Sequence, residues 1–284
     1  MAFTFGASSK VNAQRGNPIL LSHTTVANTK LLVVGIITKT TTARTGGVPT
    51  FNGVAMVQVG STIIGKAECT SELWYLSNPS IGTYNVSVPN SGAATVTVIA
   101  SSYVDASVNG ATLDVYNSTN VTGANPALLI TTTENGEAIV DVFGSGYFKV
   151  ATANSHTLLY QTDEGVWTTY AQYALQASAG AITLSWTQSS DDVAFIVAGF
   201  KGVFFTKLYF DSCSGLTTHF HCPVCGEDNH SQRYLFNKDR GSGTMYYTIS
   251  IHNDLATGEQ CIGSGKTIKL QVDTNTIKRP DGLP

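Results

Sequence analysis

Apolar and polar residues alternate with a period of two along much of the first 200 positions. Tyr84, Val86 and Val88 are separated by Asn85 and Ser87, and Val96 and Val98 sit between Thr95 and Thr97. Ile182, Leu184 and Trp186 alternate with Thr183, Ser185 and Thr187. That period turns one side of a strand to a core and the other to water. Leu31-Leu-Val-Val-Gly-Ile-Ile37 is apolar without a break, which predicts a strand covered on both faces. Further strands are expected at 18–24, 54–59, 70–76, 127–133, 137–143, 147–151, 157–161, 166–174 and 193–201. Turn formers separate them: Gly46-Gly47, Asn78-Pro79, Asn90-Ser-Gly92, Asn135-Gly136, Gly144-Ser-Gly146 and Gly180. Tyr170–Leu175 is the best helical candidate, yet the preceding Trp167, Thr168 and Thr169 favour a strand. The pattern predicts an all-β protein built as an antiparallel β-sandwich, with a jelly-roll-like order preferred to an immunoglobulin one. No internal repeat is visible.

Composition narrows the class. The 284 residues are 42% hydrophobic, enough for a sizeable core, and only 12% charged, against a usual share of roughly a quarter. Ser, Thr, Asn, Gln and Gly must therefore supply the polar surface. The net charge of −3 offers no basic field for nucleic acid. No run reaches the length of a membrane-spanning helix, so no membrane span is expected. Met1–Lys10 lacks the basic start and apolar stretch of a secretory signal. Release by another route, such as cell lysis, onto a virion or extracellular particle surface is the expectation. Phe3 and Phe5, in the segment 1–16, are expected to be covered by a neighbouring copy.

Charge density changes near residue 205. Residues 1–205 read as a β-sandwich domain, and 206–284 as a small β-rich module holding four of the five cysteines and four of the six histidines. In Cys222-Pro-Val-Cys225-Gly226 two thiolates three positions apart can address one ion, and the glycine lets the turn tighten. Cys213, Cys222, Cys225 and Cys261 are the candidate ligands for a structural zinc, with His219, His221, His230 and His252 as substitutes. Cys213 and Cys261 are single rather than paired, so a Cys3His site competes with a four-cysteine one. Disulfides, or free thiols, are the alternatives. A module this short has a thin core and needs such a staple.

Two stretches carry a resemblance. Leu31-Leu-Val-Val-Gly35 is followed by Phe51-Asn-Gly-Val54, and Leu73-Trp-Tyr-Leu-Ser-Asn-Pro79-Ser-Ile-Gly82 leads to Val98-Ile-Ala-Ser-Ser-Tyr103. Over roughly residues 15–200 the chain resembles a jelly-roll-like β-sandwich module of tailed-phage virion and bacterial surface proteins. The resemblance implies shells, fibres, decorations or glycan binding. The Cys-Pro-X-Cys-Gly stretch resembles one knuckle of a zinc ribbon.

The remaining candidates read as structure rather than chemistry. Cys69 stands alone in the first part, where His23 and His156 are the only imidazoles and neither lies in a catalytic motif. Asp163-Glu164 and Asp191-Asp192 are neighbours whose side chains diverge on a strand, so they read as loop ends and not as an acid pair. Gly241-Ser-Gly243 and Gly263-Ser-Gly265-Lys266-Thr267 miss the phosphate-loop spacing and read as hairpin turns. Trp74, Trp167, Trp186, Tyr170 and Tyr173 would form a sugar platform if exposed, against the expectation of core packing. The chain is therefore expected to be a non-enzymatic structural protein of a phage-like particle: a capsid decoration, a tail or fibre component, or a self-assembling surface protein. Its expected partners are copies of itself and other virion proteins. The alternative is a surface or adhesion module binding host-surface glycans.

Overall fold

The computed structural model describes residues 2–65, 69–92, 94–146, 151–154, 156–163 and 168–203, together with the strands Thr244–Thr248 and Thr267–Gln271. All regular elements among them are strands. The chain divides into two compact units, Met1–Phe205 and Thr206–Pro284.

In the first unit the chain runs through β1 (Thr4–Gln14), β2 (Ile19–Thr25), β3 (Thr29–Lys39), β4 (Thr50–Phe51) and β5 (Val54–Ala55). It continues through β6 (Val57–Gln58), β7 (Ile63–Ile64), β8 (Thr70–Ser77), β9 (Gly82–Val88) and β10 (Thr95–Val104). These form one sheet in the order β1-β10-β3-β8-β6, with β7 also on β8, and another in the order β2-β9-β4-β5. That is the order of a jelly roll, a long antiparallel ribbon wound so that its halves become facing sheets.

The chain then does the same thing again. Strands β11 (Gly110–Gly123), β12 (Ala127–Thr132), β13 (Glu137–Ser145) and β14 (Thr152–Ala153) lead to β15 (Thr157–Asp163), β16 (Thr168–Gln176), β17 (Gly180–Thr187) and β18 (Asp191–Val203). Their sheets run β11-β18-β13-β16-β15 and β12-β17-β14. The order β1-β10-β3-β8 returns as β11-β18-β13-β16 and the order β2-β9-β4 as β12-β17-β14, and the registers agree; the first roll adds two short strands, ten against eight among the described residues. Gly35 pairs with Ile99 and Leu73 in the first roll; Val142 pairs with Ile196 and Ala171 in the second. Thr25 faces Gly82 as Thr132 faces Gly180, and each threonine hydroxyl donates to the glycine carbonyl opposite. Both opening strands carry a bulge at the same place, between Phe5 and Ala7 and between Leu113 and Val115. The sequence pattern led to one pair of sheets and no repeat. The structure has two pairs, related by internal repetition.

Three apolar clusters stack the four sheets into layers. Leu32, Val34 and Ile36 of β3 meet Leu21, Val86 and Val88 of the outer sheet. On the other side of β3, Leu31, Val33 and Ile37 meet Val140, Val142, Ile196 and Phe200 of the second roll. Beyond that, Ile139, Phe143 and Phe195 pack on Leu128, Leu184 and Trp186. The inner sheets of the two rolls therefore face each other. Leu31–Ile37 is buried on both sides as its unbroken apolar run requires. Glycine makes the seam tight: a Cβ on Gly35 would lie 2.1 Å from Val142 Cγ1, and one on Gly144 2.9 Å from Ile37 Cγ2.

The N-terminal segment corrects an expectation. It pairs with β10 of its own chain rather than reaching a neighbour. Phe3 is buried and its N–H donates to the Gly136 carbonyl at 3.0 Å, while Phe5 stacks on Tyr173 with ring centroids 4.7 Å apart. In the second unit, Thr244–Thr248 (β19) pairs antiparallel with Thr267–Gln271 (β20).

Candidate functional site

Each roll buries one tryptophan whose indole N–H donates to a buried carboxylate. In the first, Trp74 Nε1 donates to Glu72 Oε2 at 2.8 Å. Arg44, in the loop between β3 and β4, reaches the same oxygen at 3.0 Å, and both side chains of that ion pair are almost fully enclosed. The Arg44 guanidinium also donates to the carbonyls of Gly47, at 3.1 Å, and Pro89. It pins the loop across one end of the sandwich.

In the second roll, Trp186 Nε1 donates to Asp141 Oδ2 at 3.2 Å. Gln172 donates to the same carboxyl through its backbone N–H at 3.0 Å and its Nε2 at 2.7 Å. No cation among the described residues pairs with Asp141, and burial pushes it up to about 7 in spite of these donors. Glu137, two turns of the pleat earlier on the same strand, is also buried. Desolvation, with the nearby Asp114, pushes it up to about 7. Burial pulls Asp114 the same way, yet donors on Thr133 and Lys201 hold its carboxyl below the usual range; Lys201 Nζ lies 2.9 Å away.

The sequence-derived candidates fall as follows. Cys69 is fully buried, with its thiol directed at the Gly144 carbonyl, and burial pushes it up to about 12. A thiol so far from ionising is no nucleophile at neutral pH. His23 is buried 2.9 Å from Ser9 Oγ, its Nε2 finds no partner, and burial lowers it to about 4. His156 Nε2 lies 2.9 Å from the Thr183 carbonyl. Asp191 and Asp192 open β18 rather than a loop; the first accepts from Ser145 and the second from Thr122, on different strands. Asp163 ends β15, and Glu164 lies outside the described residues.

Trp186, Tyr170 and Trp74 are buried, so the envisaged sugar platform is core, and Tyr173 packs on Phe5. Trp167 lies outside the described residues. So do Cys213, Cys222, Cys225, Cys261, His219, His221, His230 and His252, and both glycine runs apart from Thr267. Among the described residues no three His, Cys, Asp or Glu side chains converge as a metal site requires. No described helix is long and apolar enough to cross a membrane.

The outer sheet of the first roll holds a feature that alternation implied but did not single out. Ser22, Asn85 and Ser87 point away from the core, and the tight Asn52-Gly53 turn between β4 and β5 rises beside them. The result is a shallow concavity of about 390 Å³ lined by uncharged polar groups and Tyr84. Its signal in the sequence was the run Thr83–Ser87, in which hydroxyl and amide side chains hold every outward position.

Comparison of the chain with protein-family models, with curated proteins and with solved structures gives no match.

Proposed function

We propose that this chain is a non-enzymatic structural protein of a phage-like particle, acting as a capsid decoration, a tail or fibre component, or a self-assembling surface protein. Assembly with copies of itself and with other virion proteins is its work.

The observation that carries the reading is the open edge of the second roll. β11, at 14 residues the longest described strand, lies at the end of its sheet. An uncovered edge is a template for another strand, and proteins that stay monomeric blunt it with prolines, charges, bulges or short lengths. β11 has no proline, its one charge, Asp114, is tied to Lys201, and its bulge at Asp114 leaves Val115–Gly123 in unbroken register with β18. Tyr116 and Val121 are exposed along it. The sparse charge of the chain suits lateral contacts, which form with little desolvation of ions.

Sedimentation velocity over a concentration series, with electron microscopy of the same samples, tests this. Multimers that dissociate in Val121→Lys support the reading. A monomer at every concentration and in every image overturns it.

The same reading gives the second unit a structural zinc held by Cys213, Cys222, Cys225 and Cys261, with a nearby histidine replacing one cysteine in the Cys3His form. Elemental analysis checks it: one zinc per chain is expected. Cys222→Ser or Cys225→Ser is expected to expose residues 211–284 to protease and to leave the rolls intact.

A further inference from the structure

We propose that Lys201, Asp114 and Glu137 form a self-modification site, at which the Lys201 amine condenses with the Asp114 carboxyl into an isopeptide bond between β18 and β11. The three residues lie on adjacent strands of the second roll's inner sheet, in the order β11-β18-β13. Thr112 pairs with Lys201 and Leu113 with Phe200, but the next pair is Val115 with Gly199, so Asp114 is the extra residue of the bulge. A bulge re-aims a side chain, and here Asp114 Oδ1 lies 2.9 Å from Lys201 Nζ. The lysine side chain is 32% exposed and the aspartate 3%, so the amine reaches inward to an enclosed carboxyl.

The third side chain supplies a proton. Asp114 accepts from the Thr133 N–H at 2.8 Å and the Thr133 hydroxyl at 2.5 Å as well as from Lys201. Glu137 also bonds to Asp114 through its side chain. Two carboxyl groups bond to each other only when one carries a proton, and the donors around Asp114 leave that proton on Glu137. Burial acts in the same direction, because Glu137 is fully enclosed and is pushed up to about 7. Its Oε1 accepts from the Glu134 N–H at 2.9 Å. Its Oε2 lies against Gly199, where a Cβ would come 3.0 Å from it, 3.2 Å from Val115 Cγ1 and 3.5 Å from Ile130 Cδ1.

Condensation needs an amine, a carboxyl and an acid that regains its proton, and this one contact holds all three. A proton passes from the Lys201 ammonium to Asp114, which leaves a neutral amine and a neutral acid. Nζ attacks Cγ, while Glu137 gives its proton to the developing oxyanion and takes one from the nitrogen. Glu137 then protonates one hydroxyl of the intermediate and takes the proton of the other as the C–O bond breaks and water leaves. One C–N bond has formed, one C–O bond has broken, and Glu137 ends as it began. Holding the reactants in contact makes the step unimolecular. The first proton transfer runs against the ion pair, so the bond forms slowly after folding. The fold itself does not require the trio. Registers place Gly6, Val104 and Lys30 of the first roll where the second has Asp114, Lys201 and Glu137. Within its sheet β11 pairs with β18 alone, so the link ties an edge strand to the one neighbour it has. The site needs no second chain and does not rest on the assembly reading.

Mass spectrometry of the purified full chain, sampled over time after folding, tests this. The intact chain is expected to lose the mass of one water. A tryptic digest of the unfolded product is expected to hold a branched peptide joining Asp114 to Lys201, with no cleavage after Lys201. Lys201→Arg keeps the opposite charges and removes the primary amine, and is expected to keep its full mass. Glu137→Gln is expected to slow the link about a hundredfold or more, the worth of a general acid–base group. Lys201 is partly exposed, so its variant keeps the test alive should Glu137→Gln fail to fold. A chain that stays at full mass and is cut after Lys201 at every time overturns the proposal. A water loss that persists in Lys201→Arg, or a link that forms as fast in Glu137→Gln, does the same.

Discussion

The two rolls share a topology and a register, and they differ in how they treat a carboxylate in the core. Glu72 in the first is met by a buried guanidinium, Arg44. Asp141 in the second is met by the neutral Gln172 and Trp186. The difference follows from equivalent positions filled differently. Val34 and Trp74 of the first roll correspond to Asp141 and Gln172 of the second. The tryptophan has moved from the inner sheet, Trp74 in β8, to the outer sheet, Trp186 in β17. A jelly roll therefore needs a filled core at these positions, and not a particular chemistry. The first roll meets its acid with an opposite charge, and the second meets it with neutral N–H donors in a place where burial favours the protonated form.

Removing Arg44 should give the largest effect. Loss of one partner from a buried ion pair typically costs about 3–5 kcal/mol, because the remaining charge stays buried. Arg44→Ala is expected to lower the denaturation midpoint strongly. Asp141→Asn keeps the shape and, with the amide oxygen in the Oδ2 position, the bonds from Gln172 Nε2 and Trp186 Nε1. It turns an N–H toward the Gln172 backbone N–H but leaves no unpaired charge, and is expected to cost less than Arg44→Ala at pH 8. Chemical denaturation of both variants checks the contrast. Equal losses in the two would show that the rolls handle their acids alike.

The response to pH is the next contrast. Asp141 and Glu137 sit near 7 in the folded chain, above the ordinary carboxylate values they take when unfolded. Between about pH 4 and 7 the folded state therefore holds more protons, and their contribution falls as pH rises. His23 works the other way. Its folded value near 4 lies below the usual imidazole range, so its contribution is lost as pH falls from about 6.5 to 4. Both contributions act over the same window with opposite signs, so denaturant midpoints measured from pH 4 to 8 are expected to fall less steeply with rising pH in Asp141→Asn, and more steeply in His23→Gln. A pH profile unchanged in both variants would refute the assignment.

Much of the strand order was legible in the sequence, and the reasons for the misses are physical. Leu31–Ile37 announced itself because burial on both faces demands an unbroken apolar run. Tyr84–Val88 and Ile182–Thr187 announced themselves through alternation. β11 did not. The bulge at Asp114 shifts its period, and beyond it an edge strand needs few apolar residues. β1 was hidden for the second reason, its small residues Gly6–Ser9 giving no pattern. The repeat was hidden because equivalent positions share an orientation and seldom an identity. Val33 matches Val140 and Ile99 matches Ile196, while Leu31 corresponds to Ala138 and Ile37 to Gly144. The concavity was hidden because Ser, Thr and Asn on a strand read as ordinary solvent face until the Asn52-Gly53 turn folds over them.

The seam between the rolls offers the finest test, because its effect is local and its sign is set by geometry alone. Gly35 and its equivalent Val142 press against each other across the middle of the stack, as do Ile37 and Gly144. At each contact one roll has glycine where the other has the side chain that fills the space. Gly35→Ala would place a methyl 2.1 Å from Val142 Cγ1, so either the valine or the inner sheet must move. Overpacking of this kind costs about 1–3 kcal/mol. Val142→Ala in the same chain makes room, and should recover part of the loss, since the two sites touch and do not act additively. Recovery in the double variant, read from the denaturation midpoint, locates the strain at this contact. A double variant no more stable than Gly35→Ala would place the cost in the glycine's own strand, and the two rolls would then be joined less tightly than their shared apolar layer implies.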